Sequence, residues 1–157
     1  GEAAVQRAGG AFAIVRSSWV VSAHGNNFVK TMLRLGAERD SLTIVADQIG
    51  APTPARDIAH CCVNVARQLK IDPGKAGIYP YGGWPYTSWA GFAAEIFSRA
   101  GLRCDVIDIA SRDYPTPAVR PLNSRLDSSD LEAVFSISAP QWHSGLDDIL
   151  RDLGALK

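Results

Sequence analysis

The sequence lacks the glycine-rich turn by which many α/β proteins hold a dinucleotide. Fourteen glycines occur among 157 residues, but none lies in a G-x-G-x-x-G frame after a strand-like run, so no backbone cradle for a pyrophosphate is visible. No tyrosine is followed four residues later by lysine, and no G-x-S-x-G motif marks a nucleophilic serine. These absences argue against cofactor binding and serine-hydrolase chemistry in this chain.

Net charge and long apolar runs are also lacking. Sixteen basic and sixteen acidic residues give a net charge of zero, so no electrostatic field attracts nucleic acid or an anionic membrane. No apolar run approaches the roughly 18 residues of a membrane span, and no signal-peptide pattern is visible. We therefore expect a cytoplasmic protein with neither nucleic acid nor a membrane as its partner.

Cysteine and histidine are scarce, with three residues of each. The cysteines show no C-x-x-C spacing, which predicts free thiols and fits a reducing cytoplasm. The histidines are scattered, with no second ligand at helical or turn spacing, so no metal site is predicted.

Strand-like and helix-like segments alternate along the chain. Strands are predicted at 11–18, 42–46, 77–81 and 104–109. Helices are predicted at 26–35, 55–69, 87–99, shortly after 128 and at 144–153, following a helical opening segment that ends at Gly9 and Gly10. Asn26 is expected to begin the first of these helices and Thr87 to cap the third. The alternation predicts the α/β class, and the length fits one domain.

The segment from Asp113 to Asp127 (DYPTPAVRPLNSRLD), here called the strap, has no helical or strand periodicity. Loops of this length are uncommon inside a domain unless they are functional, and its three prolines hold the chain stiff and extended. Arg120 and Arg125 are then fixed in place, where a guanidinium fork suits a diphosphate or a carboxylate. The alternative is a solvated loop in which the two arginines pair with Asp113 and Asp127.

Three other segments carry candidate ligand contacts. Trp19 ends the first strand, where it offers a flat apolar face for a sugar ring and one N–H donor, unless it is core packing. Asn26 and Asn27 stand at a helix start that attracts anions, although an asparagine there is often only a cap. The turn 48–53 could bracket a nucleotide base or sugar, or be an ordinary strand-to-helix connection.

Four segments of the chain, taken in order, resemble the C-terminal half of the dTDP-4-dehydrorhamnose reductases. They are residues 16–33 (RSSWVVSAHGNNFVKTML), 46–59 (ADQIGAPTPARDIA), 87–97 (TSWAGFAAEIF) and the strap. These oxidoreductases belong to the extended short-chain dehydrogenase/reductase group and complete dTDP-L-rhamnose synthesis. The resemblance implies an α/β, Rossmann-type fold with the small substrate-binding lobe, lacking the N-terminal cofactor-binding half. Residues 1–157 would form a single substrate-binding region.

The resemblance also implies which residues bind the nucleotide sugar: Trp19, Asn26, Asn27, Gln48, Gly50, Pro52, Thr53, Arg120, Asn123 and Arg125. It assigns the catalytic tyrosine and lysine, and the NADPH or NADH site, to sequence upstream of Gly1. We therefore expect a truncated chain that is inactive alone, with no catalytic residue, cofactor or metal of its own. Some relatives bind magnesium between subunits through a carboxylate at the position where this chain has Arg56, so a metal-linked dimer is not expected.

The implied partners are a dTDP-sugar and either the N-terminal half or a second copy of the chain. Two alternatives stay open. The parent protein could be an epimerase or reductase of a different nucleotide sugar, or the chain could be a non-catalytic binding or regulatory subunit of the same fold. Strands left without neighbours would make the isolated chain marginally stable.

Overall fold

Helices and strands alternate along the chain, which confirms the predicted α/β class. The computed structural model describes all 157 residues, Gly1–Lys157. The strands are β1 (Ala13–Arg16), β2 (Val20–Val21), β3 (Ser41–Val45), β4 (Ile49–Gly50), β5 (Thr53–Pro54), β6 (Gly77–Pro80), β7 (Thr87–Ser88) and β8 (Asp105–Ile109). The helices are α1 (Glu2–Ala8), α2 (Phe28–Glu38), α3 (Ala55–Ile71), α4 (Trp89–Ala100), α5 (Ser129–Phe135) and α6 (Trp142–Asp152).

The strands pair two by two. Three pairs are parallel, β1 with β6, β2 with β5 and β3 with β8, whereas β4 and β7 are antiparallel. The longest register runs from Ser41 opposite Asp105 to Val45 opposite Ile109. Parallel pairs need crossover connections, and the predicted alternation of helices with strands supplies them.

Two separate apolar cores hold these elements. The large core contains sixteen buried residues, mainly from α2, α4, α6 and β3. The small core contains six, Cys61, Val65, Tyr79, Tyr81, Leu131 and Phe135, from α3, α5 and the β6 region. None of the helices combines the length and the apolarity that crossing a bilayer requires.

Two helix starts differ from the prediction by about a residue. Asn27, not Asn26, caps α2, because its side-chain oxygen accepts hydrogen bonds from the N–H groups of Val29 (3.1 Å) and Lys30 (3.4 Å). Ser88 caps α4 in place of Thr87 and accepts from the N–H of Gly91 at 3.0 Å. In each case two adjacent residues carry a capping oxygen, and the backbone geometry selects the second.

The last helix and the first strand also differ in extent from the prediction. Helix α6 begins at Trp142, two residues before the predicted start, and the buried indole of Trp142 donates to the Pro85 carbonyl at 2.7 Å. Strand β1 covers only Ala13–Arg16 of the predicted 11–18. It stops at Arg16 because its partner β6 ends at Pro80, the residue opposite Arg16, so Trp19 lies three residues beyond the strand and does not end it.

Candidate functional site

A cavity of about 920 Å³ lies between α2, β3 and the strap. Its wall combines aromatic faces with polar groups and two arginines, Arg39 and Arg120. The aromatic members are Trp19, Phe28, Trp89 and Tyr114. Concave sites that are largely apolar and carry a few fixed polar groups are the usual form of a small-molecule site.

Trp19 is held in an unusual backbone conformation at this cavity. Its φ of 48° lies in the left-handed region, which a bulky side chain rarely adopts and which is typical of sites where the surroundings impose strain. The N–H of Thr53, which is distant in sequence, donates to the Trp19 carbonyl at 3.0 Å where β5 pairs with β2, and this bond holds the Trp19 backbone in place. The pairing of the short strands β2 and β5 thus sets the direction of the Trp19 indole.

The Trp19 ring is fixed by a second aromatic ring and by the strap. It stacks on Trp89 with centroids 3.6 Å apart and planes 12° apart. Its indole N–H donates to Ser124 Oγ at 3.0 Å, so the donor that the sequence argument assigned to a ligand is already used inside the protein. Trp19 therefore offers a ligand its apolar surface, while its N–H holds the end of the strap.

Gly50 makes this arrangement possible. A Cβ at this position would lie 2.6 Å from Ser124 Oγ and 2.8 Å from Trp19 Cε2. Gly50 is buried behind the two side chains and does not line the cavity. Its role in the structure is to let Trp19 and the strap meet.

The strap has no helix or paired strand from Tyr114 to Ser128 apart from a single bridge between Asn123 and Ile49. Neither strap arginine forms an ion pair, so the pairing with Asp113 and Asp127 in the alternative is wrong, whereas the solvent exposure of the loop that it predicted is present at residues 112–123. Asp113 is instead within 3.7 Å of Arg112. The carboxylate of Asp127 accepts from the N–H of Ser129 at 2.9 Å, which holds the pKa of Asp127 below its ordinary value.

The two strap arginines have different surroundings. Arg120 lines the cavity and is free to meet an anion. Arg125 does not line it and lies over the ring of Tyr86, 5.6 Å from the centroid. Asn123 Oδ1 accepts from the N–H of Arg125 at 3.2 Å, which makes it a turn-forming residue outside the cavity wall.

Gln48 also lines the cavity, whereas the rest of its turn is packed away. Gln48 Nε2 donates to Ser111 Oγ at 2.9 Å. Pro52 and Thr53 are fully buried, and Thr53 Oγ1 accepts from the N–H of Gly83 at 3.2 Å.

The structure therefore brings three of the ten predicted residues, Trp19, Gln48 and Arg120, to one cavity. The other seven predicted residues are not part of its wall: Asn26, Asn27, Gly50, Pro52, Thr53, Asn123 and Arg125. The reason differs between the two asparagines at the α2 start. Asn26 is exposed, whereas Asn27 caps the helix and donates to the Ser22 carbonyl at 2.7 Å.

Sequence reasoning missed several members of the wall, including Trp89, Tyr114, Ser124 and Arg39. Trp89 stands directly after Ser88, the cap of α4, and this place at the helix start was the signal that its side chain could lie outside the core. Tyr114 and Ser124 stand in the strap and could have been named with it. Arg39 follows α2 with no motif around it, so nothing local marked it.

The chain contains no group of three histidine, cysteine or acidic side chains that could hold a metal ion. The four helices of eleven or more residues begin at Asn27, Pro54, Ser88 and Gln141, and none of these starts is a glycine-rich turn of the kind that cradles a pyrophosphate.

Known proteins resemble the whole of this chain. Residues 1–155 match the family described as RmlD substrate binding domain. The dTDP-4-dehydrorhamnose reductase of Sinorhizobium fredii (strain NBRC 101917 / NGR234) is 44% identical over 148 aligned positions, with coverage of 90% of this chain and 50% of that protein. That of Escherichia coli (strain K12) is 38% identical over 159 residues, covering 98% of this chain and 53% of that protein.

A solved structure agrees with these relatives. It is that of dTDP-4-dehydrorhamnose reductase from Bacillus anthracis str. Ames in complex with NADP, with a TM-score of 0.85 and 33% identity, covering 96% of this chain and 52% of that one. This chain thus spans about half the length of the relatives that it matches. By its sequence and its fold, the chain belongs to the RmlD substrate-binding domain family.

Proposed function

We propose that this chain binds a dTDP-sugar as the substrate-binding part of an NAD(P)H-dependent dTDP-4-dehydrorhamnose reductase, which reduces dTDP-4-dehydro-L-rhamnose to dTDP-L-rhamnose. The observation that carries the proposal is the cavity in which the Trp19–Trp89 stack stands together with the unpaired Arg120. An aromatic surface suits the apolar face of a deoxysugar, and an unpaired guanidinium suits a diphosphate. The family names of the relatives point to the same ligand.

In this proposal the chain positions the substrate and does not carry out the chemistry. NADPH or NADH supplies the hydride when it is bound, and its site, with the catalytic tyrosine and lysine, belongs to the other half of the protein. Holding the sugar in the geometry of attack is itself a large part of catalysis, since orientation lowers the entropic part of the barrier. The wall residues Trp19, Gln48 and Arg120 are the ones assigned to that task.

We propose that the cofactor-binding half of the protein contacts this chain at the face around β1. This strand pairs with β6 on one edge only, and the other edge leaves backbone N–H and C=O groups for another strand. Ser17 Oγ, just after β1, is buried without a hydrogen-bond partner, although buried polar atoms are nearly always paired. We assign both unmet groups to contacts with the cofactor-binding half.

A cytoplasmic location is part of the same proposal. Cys61, Cys62 and Cys104 are free thiols, which is the state that a reducing compartment maintains.

The experiment is a calorimetric titration of the chain with dTDP and with thymidine. Arg120→Lys is expected to weaken dTDP binding by about 1–3 kcal/mol, the range for a hydrogen bond to a charged group, because lysine cannot reproduce a bidentate contact. Thymidine carries no phosphate, so its binding is expected to change less than about twofold.

Arg125→Lys is the matched control, since Arg125 stands in the same strap but outside the cavity. It should leave both affinities unchanged. Equal losses for dTDP and thymidine on Arg120→Lys would show that Arg120 shapes the loop and does not hold the phosphates. A chain that binds neither compound contradicts the proposed function.

A further inference from the structure

Both ends of the strap are fastened to the same three consecutive residues, Asp47, Gln48 and Ile49. Asp47 and Gln48 form hydrogen bonds with Ser111, just before the strap begins. Ile49 forms backbone hydrogen bonds with Leu122 and Ser124, near the end of the strap. A loop whose two ends lie close together in this way is an Ω-loop, a form that often carries function.

The starting end follows the β3–β8 pairing, which ends at Ile109, and beyond that point side chains hold Ser111. The N–H of Ser111 lies 3.0 Å from both Asp47 Oδ1 and Asp47 Oδ2, and the Ser111 hydroxyl donates to Oδ1 at 2.6 Å. The same hydroxyl accepts from Gln48 Nε2 at 2.9 Å. These bonds lower the pKa of Asp47, with the bond from the Ser111 side chain as the largest cause. We call Asp47, Gln48 and Ser111 the clasp.

The finishing end is made mainly by the backbone. The N–H of Ile49 donates to the Leu122 carbonyl and the N–H of Ser124 donates to the Ile49 carbonyl, each at 2.8 Å. Side chains at these positions can change without removing those bonds. The clasp, in contrast, loses every bond from Ser111 to Asp47 when that one carboxylate is removed and keeps only the bond from Gln48.

Between the two ends nothing else fixes the strap by hydrogen bonding. Residues 115–121 are exposed and make no hydrogen bond to the rest of the chain; Thr116 Oγ1 donates to Ala118 O within the strap itself. Arg120 lies in this stretch and reaches the cavity wall. Its position therefore depends on where the two ends are held.

We propose that Asp47 is a positioning residue for ligand binding, acting through Ser111 to set the course of the strap and so the place of Arg120. The proposal rests on the proposed function, since it takes a nucleoside diphosphate as the ligand of Arg120. Asp47 itself is outside the cavity wall, so we propose no direct contact between Asp47 and the ligand. Its removal thus acts on binding only through the strap.

A double-mutant cycle on dTDP binding tests this. Asp47→Ala is expected to weaken dTDP binding about tenfold, comparable to the loss of one charge-assisted contact. In an Arg120→Ala background the same change is expected to cost less than about twofold, because the strap then has no guanidinium to position. Asp108→Ala is the matched control, as Asp108 is an exposed aspartate on β8 that forms no ion pair or side-chain hydrogen bond.

Hydrogen exchange of the free chain gives a readout without ligand. Exchange at Ser111, Asp113 and Tyr114, whose N–H groups are hydrogen-bonded at the starting end of the strap, should be faster in Asp47→Ala than in Asp108→Ala, because the Ser111 N–H loses its acceptor. Ser111→Ala should weaken dTDP binding, whereas Ser111→Thr, which keeps the hydroxyl, should restore it. A general structural defect would not follow this pattern.

The outcomes separate the two proposals. If the unmodified chain does not bind dTDP, the proposed function fails and the positioning role fails with it. If the chain binds dTDP and Asp47→Ala binds equally well, only the positioning role is overturned. Equal losses on Asp47→Ala with and without Arg120 also overturn it, since the effect is then independent of the strap arginine.

Discussion

The two apolar cores differ in size and in what they support. The large core has sixteen buried residues, and α2 and β3, which pack on it, also form part of the cavity wall. The small core has six, and the strand beside it, β1, has no fully buried residue and is paired on one edge only. A larger core of close-packed side chains resists opening more strongly than a small one.

This difference shows that the cavity is built on the part of the chain that has the larger core. Phe28 illustrates the connection, since it lines the cavity and also contacts Phe92 of the large core, with ring centroids 5.5 Å apart. The small core lies away from the cavity, and none of its six residues is in the cavity wall. Substitutions in the large core should therefore weaken dTDP binding, whereas substitutions in the small core should leave it unchanged.

The largest effects are expected from truncating one phenylalanine in each core, which tests whether the two cores influence dTDP binding differently. Phe92→Ala and Phe135→Ala each remove a fully buried ring, at an expected cost of about 3–5 kcal/mol in the free energy of unfolding. Phe92→Ala should also abolish dTDP binding, because Phe28 and Trp142 lose the ring on which they pack. Phe135→Ala should change the affinity by less than about twofold under conditions where the chain remains folded.

Chemical denaturation and calorimetry measure the two effects. Loss of binding on Phe135→Ala, in protein shown to be folded by circular dichroism, would mean that the two cores form one cooperative unit and that the comparison is false.

A smaller effect is expected from adding one methyl group in each region. Gly50→Ala places its Cβ 2.6 Å from Ser124 Oγ and 2.8 Å from Trp19 Cε2, and overpacking of this kind typically costs about 1–3 kcal/mol. Gly77→Ala, on β6, meets the Tyr79 hydroxyl at 2.9 Å and is the matched change beside the small core.

Both substitutions should lower the melting temperature, but only Gly50→Ala should weaken dTDP binding, because it pushes Trp19 and the end of the strap apart. Thermal melts and calorimetry on the two variants decide the matter. Unaltered binding by a stably folded Gly50→Ala would show that the Trp19–Ser124 contact does not shape the site.

The features that could be predicted from the sequence are those that depend on neighbours in the chain. The α/β alternation, the extent of α3 and the end of α4 at Gly101 follow from periodicity and from a glycine in the left-handed region, φ 61°. The absence of periodicity likewise identified the strap. Each of these signals lies within a few residues of the structure that it predicts.

The site could be predicted only in part because its contacts join distant residues. Trp19 and Ser124 are 105 positions apart, and nothing near Trp19 indicates that its N–H is used inside the protein. Thr53 was expected at the ligand, but pairing of β5 with β2 buries it. Asp47 was overlooked because its partner, Ser111, is 64 positions away.

The finest test of the comparison uses the thiols already present, one buried in each core. Cys61 belongs to the small core and Cys104 to the large core, while Cys62 is exposed and is removed as Cys62→Ser. Burial raises the pKa of Cys61 to about 11 and also raises that of Cys104. At pH 8 both thiols are therefore protonated in the folded chain, and both react slowly with a disulfide reagent.

Reaction then reports local opening, because an exposed thiol regains its ordinary pKa and forms the reactive thiolate. As urea is added below the main unfolding transition, Cys61 should react first, at a rate about tenfold above that of Cys104. Cys61 is protected only by the small core of six buried residues, beside a strand that is paired on one edge, so less free energy is needed to expose it. Single-cysteine variants followed by absorbance give the two rates separately. Equal rates at every urea concentration would show one cooperative opening, and faster reaction at Cys104 would reverse the order of stability assigned to the two cores.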